Sequence, residues 1–284
     1  MKKTFLTLIL CYFSMLAFAE NIEYKLSMSN PSSHYFEVEI KLEDFKQNHI
    51  DVKMPVWAPG SYLVREFAKG VNLVDANGSN GAKLLVEKLN KNTWRIHTKK
   101  SKKVVVSYKV YSFELSVRTS FLDDTHGYLN GTSVFMYVDG YKNNAGKLRV
   151  IPHKTFKKIT TSLKKSGESI GEGTMFEFEN YDQLADSPIE IGNQIEFEFT
   201  ASGVLHKVAM YGIGNYDIPT LKKDMAKIVN SATNVFGQNP NKEYTFIIHN
   251  TVDGGGGLEH TNSTTLNVNR WTYAGDEYIG FLSL

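Results

Sequence analysis

Eight histidines are scattered through the chain, at positions 34, 49, 97, 126, 153, 206, 249 and 260. A helical zinc site needs two imidazoles four residues apart with a glutamate between them, so that ligands and general base share one face. The smallest separation here is the 11 residues between His249 and His260. Spacing along the chain therefore predicts no metal ligands. Cys11 is the only cysteine, and it falls inside a segment that reads as a removable leader. Without it the chain has no thiol for a disulfide, a thiolate metal site, an iron–sulfur cluster or a cysteine nucleophile.

Three short stretches remain as candidates. Gly167-Glu168-Ser169-Ile170-Gly171 has the letters of a serine-hydrolase elbow. That motif needs a buried strand before it and a helix after it. Here Lys164-Lys165-Ser166 precedes and Glu172-Gly173 follows, which reads as a surface turn. Gly254–Gly257 lacks the Lys and Ser/Thr that complete a Walker phosphate loop. It is either a flexible turn or a place where backbone approaches a ligand closely, as glycine allows. Leu258-Glu259-His260 follows at once and could display Glu259 at a strand edge. The third stretch, Met54–Ala68, holds Pro55, Pro59 and Gly60 among Trp57, Tyr62 and Phe67, with Arg65 next to Glu66. It reads as a packed corner with a satisfied arginine or as a rim facing a cleft.

The elements that must position these residues fall into two kinds. From residue 20 to about 200 the pattern is period two. Phe36, Val38, Ile40 and Leu42 share a face, as do Trp94 and Ile96, and Val104, Val106, Tyr108 and Val110. Thr174–Glu179 gives Met175/Phe176/Phe178 and Gln194–Thr200 gives Ile195/Phe197/Phe199 in the same short-strand style. Many short strands between Gly, Asn, Asp and Ser turns predict a mostly β, sandwich-like domain. The lysine-rich runs at 99–103 and 154–165 read as solvated turns or edges. Near residue 217 the period changes. Asp217-Ile218-Pro219 opens a helix carrying Leu221, Met225, Ile228, Val229, Ala232, Val235 and Phe236, and Gly237 stops it. Tyr244–His249 and Thr264–Val268 read as strands, so residues 201–284 look like the opening of an α+β domain.

The ends are distinctive. Lys2 and Lys3 precede an apolar run from Phe5 to Phe18, and Ala17-Phe18-Ala19 offers a small-x-small cleavage site. Residues 1–19 are expected to be a cleaved signal peptide, making the protein exported, periplasmic or secreted. Alternatives are an uncleaved anchor or a lipoprotein at Cys11, the latter opposed by Leu10. Lys2 and Lys3 account for the whole excess of 32 basic over 30 acidic side chains. The body of the chain thus has no net field to attract nucleic acid or an anionic membrane. At the other end, Asp276–Leu284 starts as a helix and has no cap or polar tail, which reads as a sequence cut short.

Four stretches carry a resemblance. They are Met54–Phe67 (MPVWAPGSYLVREF), Val110–Thr132 (VYSFELSVRTSFLDDTHGYLNGT), Tyr181–Gly192 (YDQLADSPIEIG) and Gly255–Leu266 (GGGLEHTNSTTL). In this order they resemble the glycyl aminopeptidase family of zinc metallopeptidases, whose full-length members often carry a C-terminal PDZ module. The resemblance implies an N-terminal β domain (20–200) before a thermolysin-like catalytic domain, of which 201–284 is the incomplete first part. It also implies that Gly256 and Gly257 approach a peptide substrate through the backbone while Glu259 binds its free α-amino group. A carboxylate holds an ammonium, and main-chain groups fix register.

The same resemblance places the zinc-binding His-Glu-x-x-His helix beyond Leu284. No catalytic residue and no metal ligand is then expected in this chain, and zinc only in a full-length protein. The expectation is a fragment, inactive alone, of an exported zinc aminopeptidase. Alternatives are a non-catalytic module that binds peptide N-termini, and a β-sandwich without a site, which fits residues 20–200 alone and would be favoured by Glu259 buried in an internal ion pair.

Overall fold

Alternating sequence becomes strand wherever one face can be buried. In Tyr35–Glu43 the side chains of Phe36, Val38, Ile40 and Leu42 are buried and the intervening ones are not. The computed structural model describes residues 21–45, 47–167 and 173–283. The expected leader, with Cys11, lies outside the described residues, as do Glu168–Gly171 of the elbow-like stretch. The described flanks of that stretch are the antiparallel strands Lys164–Lys165 and Thr174–Phe178, not the strand and helix that an elbow requires.

The fold is mostly β. Seven strands form the largest sheet, in the spatial order Lys164–Lys165, Thr174–Phe178, Gly146–Ile151, Asn21–Ser27, Tyr35–Glu43, Lys103–Tyr111 and Val71–Asn77. A four-stranded sheet runs Tyr137–Val138, Ile50–Lys53, Thr93–His97, Leu85–Asn90, and another runs Lys158–Thr161, Ile189–Gly192, Gly127–Leu129, Phe121–Leu122. Their inward side chains merge into one cluster that includes Leu26, Ile40, Val52, Ile96, Val106, Leu129 and Ile191, which is the sandwich-like arrangement. Buried backbone at 134–136 is satisfied by tyrosine hydroxyls. Tyr108 donates to Val134 O at 3.0 Å, Tyr181 to Phe135 O at 2.6 Å and Tyr24 to Met136 O at 2.7 Å.

A second cluster gathers Phe197, Phe199, Val208, Met210, Leu221, Met225, Ile248, Leu266, Val268, Tyr273 and Phe281. It lies against a five-stranded sheet ordered Ile195–Ala201, Val204–Tyr211, Glu243–Thr251, Ser263–Asn269, Gly257–Glu259. The first two strands form a hairpin through Ser202 and Gly203, both at positive φ. The helix Ile218–Phe236 then crosses over so that Glu243–Thr251 pairs parallel to Val204–Tyr211. Asp217 caps this helix, its carboxylate accepting from Thr220 N at 3.0 Å, and Gly237 ends it at φ 79°.

Two details depart from the sequence expectation. Ile195 is exposed although Phe197 and Phe199 on its face are buried; it sits at the open start of its strand. A short helix, Tyr181–Ala185, occupies a stretch with no long apolar period, and Asn180 caps it by accepting from Gln183 N at 2.9 Å.

Candidate functional site

Gly257–Glu259 is the outermost strand of the second sheet and pairs antiparallel with Ser263–Asn269 on one side only. Asn267 N donates to Gly256 O at 2.9 Å and His260 N to Ser263 O at 2.8 Å. Antiparallel pairing alternates, so residues 256, 258 and 260 direct their backbone groups at the neighbour. Gly257 and Glu259 therefore direct theirs at the open edge. Such an edge is a template for an added strand. Leu258 is buried, while Glu259 is exposed, and its carboxylate makes no hydrogen bond or ion pair among the described residues. A cavity of about 370 Å³ opens beside Glu259, walled by His206, Phe236, Tyr244, Phe246 and Leu266. Burial first, then the charges of Glu259 and Asp186, push the Tyr244 hydroxyl up to about 12.

The glycines before this strand have different roles. Gly254 packs so tightly on the Val268 backbone that no side chain fits there. Gly256 has φ 126° and faces open space. Gly257 lies under Leu266, whose Cδ2 a Cβ would approach to 3.0 Å.

The Met54–Ala68 stretch reaches the same place. Gly60, at φ 75°, lies against the edge strand. A Cβ there would meet Leu258 Cδ1 at 2.6 Å and stand 3.7 Å from Glu259 Oε1. The loop is tied by Trp57 Nε1 donating to Ser61 O at 2.6 Å and Arg65 N donating to Val56 O at 2.6 Å. Arg65 turns its guanidinium to Ser61 Oγ at 3.3 Å rather than to Glu66, which pairs with Lys91 at 2.6 Å. Tyr62, Leu63 and Val64 project into solvent.

His260 turns inward. Its Nδ1 lies 2.8 Å from Asp186 Oδ1, and Asp186 Oδ2 accepts from Thr261 N at 2.9 Å and Thr261 Oγ1 at 2.8 Å. Burial alone would raise the Asp186 carboxyl, but the bonds from His260 and Thr261 outweigh it and hold it below the usual range.

Deeper in, Glu190 joins two histidines. His126 Nδ1 lies 2.7 Å from Glu190 Oε1 and His249 Nε2 lies 2.9 Å from Oε2, with all three side chains fully buried. His126 stacks on Tyr211 with ring centroids 3.4 Å apart, and Tyr128 meets the His249 ring edge-on. Burial opposes the Glu190 charge, yet the two imidazoles override it and hold the carboxyl down to about 2. His126 and Glu190 come from the first sandwich and His249 from the second sheet, so the trio welds the two.

Residues 23–193 match the Peptidase M61 N-terminal domain. The chain belongs to that family. An aminopeptidase N family protein from Idiomarina loihiensis superposes with a TM-score of 0.86 at 31% identity, over 92% of this chain and 46% of its own. The M1 zinc metallopeptidase from Deinococcus radiodurans gives 0.56 at 11% identity, over 92% of this chain and 62% of its own. A variant of that enzyme bound to a Tyr-Ser-Ala substrate gives 0.54 at 11% identity, over 87% and 60%. The two Deinococcus structures bear on fold alone. The M61 chain spans about half the length of the Idiomarina protein and less than two thirds of the Deinococcus enzyme. None of the curated proteins compared matches it.

The donor set of the buried trio makes it worth testing against zinc. Two imidazoles and a carboxylate are donors that zinc accepts, and the three lie within 4.8 Å of one another. The arrangement does not fit a catalytic ion. Each carboxylate oxygen is taken by a different imidazole at hydrogen-bond distance, and full burial leaves no open position for water. His126 Nε2 and His249 Nδ1 have no partner among the described residues, whereas the outer nitrogen of a zinc-bound imidazole is normally hydrogen-bonded. The trio is a buried hydrogen-bond network centred on the Glu190 carboxylate. Spacing could not have found it, because its members lie 64 and 59 residues apart.

Proposed function

We propose that this M61 chain is the N-terminal part of an exported zinc-dependent aminopeptidase of the glycyl aminopeptidase type. In this reading residues 20–200 form the β domain and 201–284 open the catalytic domain, with the boundary strand Ile195–Ala201 pairing into the second sheet, and the longer protein supplies the zinc ligands and often a PDZ module. The chain contributes one wall of the peptide cleft and has no peptidase activity alone. Glu259 pairs with the free α-ammonium of a peptide, and the outward backbone groups of Gly257 and Glu259 pair with its main chain. Gly256 keeps the approach clear of side chains.

The observation that carries this reading is the open edge strand ending in an exposed, unpaired Glu259. An internal ion pair burying Glu259, which would have favoured a purely structural module, is absent among the described residues. No helix among the described residues is long and apolar enough to cross a membrane. The test is peptide binding. Glu259→Gln, or N-acetylation of the peptide, is expected to weaken binding by about 10- to 100-fold, the worth of a hydrogen bond to a charged group. Equal affinity of acetylated and free peptides would refute it. In the longer reading frame an in-frame His-Glu-x-x-His is expected downstream of codon 284. Its absence would favour the non-catalytic module that binds peptide N-termini.

A further inference from the structure

Glu259 sits on a three-residue strand with one neighbour, preceded by glycines of which Gly255 and Gly256 face open space. Apart from the buried Leu258, such a segment has little to hold it, since short edge strands and glycine runs open at low cost. Its exit is different. The residues immediately after Glu259 are fastened to Asp186, which accepts from His260 Nδ1, Thr261 N and Thr261 Oγ1 at 2.8, 2.9 and 2.8 Å. Asp186 is not part of the second sheet. It ends the short helix Tyr181–Ala185, whose Tyr181 is anchored in the first core.

From this geometry we infer that Asp186 is a positioning residue for Glu259, so that the family's N-terminal domain sets the aim of the amine-binding carboxylate. The inference rests on the reading of Glu259 given above. The His260 side chain is 2% exposed, and its Nε2 has no partner among the described residues. Among the described residues, Asp186 is thus the one hydrogen-bond partner of that ring. Removing it leaves a buried imidazole with nothing to hold either nitrogen. The strand exit relaxes to rehydrate the ring, and the carboxylate one residue upstream loses its fixed place. Small displacements of a positioning group cost affinity out of proportion to their size.

The experiment is a double-mutant cycle on the full-length gene product. Its readout is the fluorescence anisotropy of tri-alanine labelled at its C-terminus, with the N-acetylated peptide as control. Asp186→Ala is expected to weaken binding of the free-amine peptide about tenfold and to leave the acetylated peptide unchanged. In a Glu259→Gln background the same substitution is expected to change binding less than twofold, because the group it aims is gone. Asp186→Asn, which keeps an acceptor for Thr261 but not for His260, is expected to fall between and covers a failure of the alanine variant to fold. Full affinity in both Asp186 variants would overturn the inference, and so would equal losses with and without Glu259, the mark of a merely structural role. If Glu259→Gln itself has no effect, the reading of the site fails and this inference falls with it.

Discussion

From Ile22 to Ile191 the apolar side chains close on one another across three sheets. From Phe197 to Phe281 they close mainly against one sheet. The helix Ile218–Phe236 buries only Leu221 and Met225 of its 19 residues, and Val235 and Phe236 stand 79% and 81% exposed at its end. Trp271 and Ile279 are exposed as well. The first region is held by its own core. The second is held by a narrower cluster and by polar bonds to the first, through Glu190 and His249, Tyr128 and Thr265, and Asp186 and His260. A region built this way keeps a strand edge and a carboxylate free, which the proposed peptide contact would require, and depends on its neighbour for rigidity.

That contrast can be broken most severely at Glu190. Glu190→Ala leaves two buried imidazoles without their hydrogen-bond partner and is expected to cost about 3–5 kcal/mol, the worth of two unsatisfied buried polar groups. The second region should then unfold before the first in urea, seen as two transitions; a single unshifted transition would refute the weld. The same group gives a pH dependence. Its carboxyl is depressed to about 2 in the folded protein, so its contribution is complete above the ordinary glutamate range near 4.3 and is lost as pH falls toward 2. Acid titration of unfolding free energy should show that loss in the native chain and not in Glu190→Gln.

Smaller perturbations sharpen the comparison. Leu26 is fully buried in the first core, and Leu26→Ala is expected to cost about 3 kcal/mol. Asp217→Ala removes the cap of the long helix and is expected to cost about 1 kcal/mol, felt by the second region alone. Phe236→Ser should change stability by less than about 0.5 kcal/mol, because the ring is already in water. A large loss there would show that the exposed end of the helix is covered in solution.

The parts of the molecule that were legible in the sequence are those whose signal is local. Phe36 to Leu42 alternate because one sheet face is dry, and Asp217, Pro219 and Gly237 bracket a helix through capping chemistry that needs no distant partner. That Glu259 stands at a strand edge was legible for the same reason, since the glycine run and Glu259 follow a strand within a few residues; the substrate role given to Gly256, Gly257 and Glu259 was implied by the resemblance alone. The Glu190 trio was not, since its members meet only when two sheets pack. Nor was the role of Asp186, which lies 74 residues from the histidine it holds. The partners of Arg65 and Glu66 were not legible either, because the loop turns Arg65 back on Ser61 while Glu66 reaches Lys91, 25 residues away.

Calorimetric titration of the gene product with tri-alanine tests the central claim most directly, run with the free and the N-acetylated peptide against native protein and Glu259→Gln. The account predicts that the native protein prefers the free amine by about 10- to 100-fold and that Glu259→Gln erases the preference without lowering the melting temperature. A preference that survives Glu259→Gln, or none in the native protein, would contradict it.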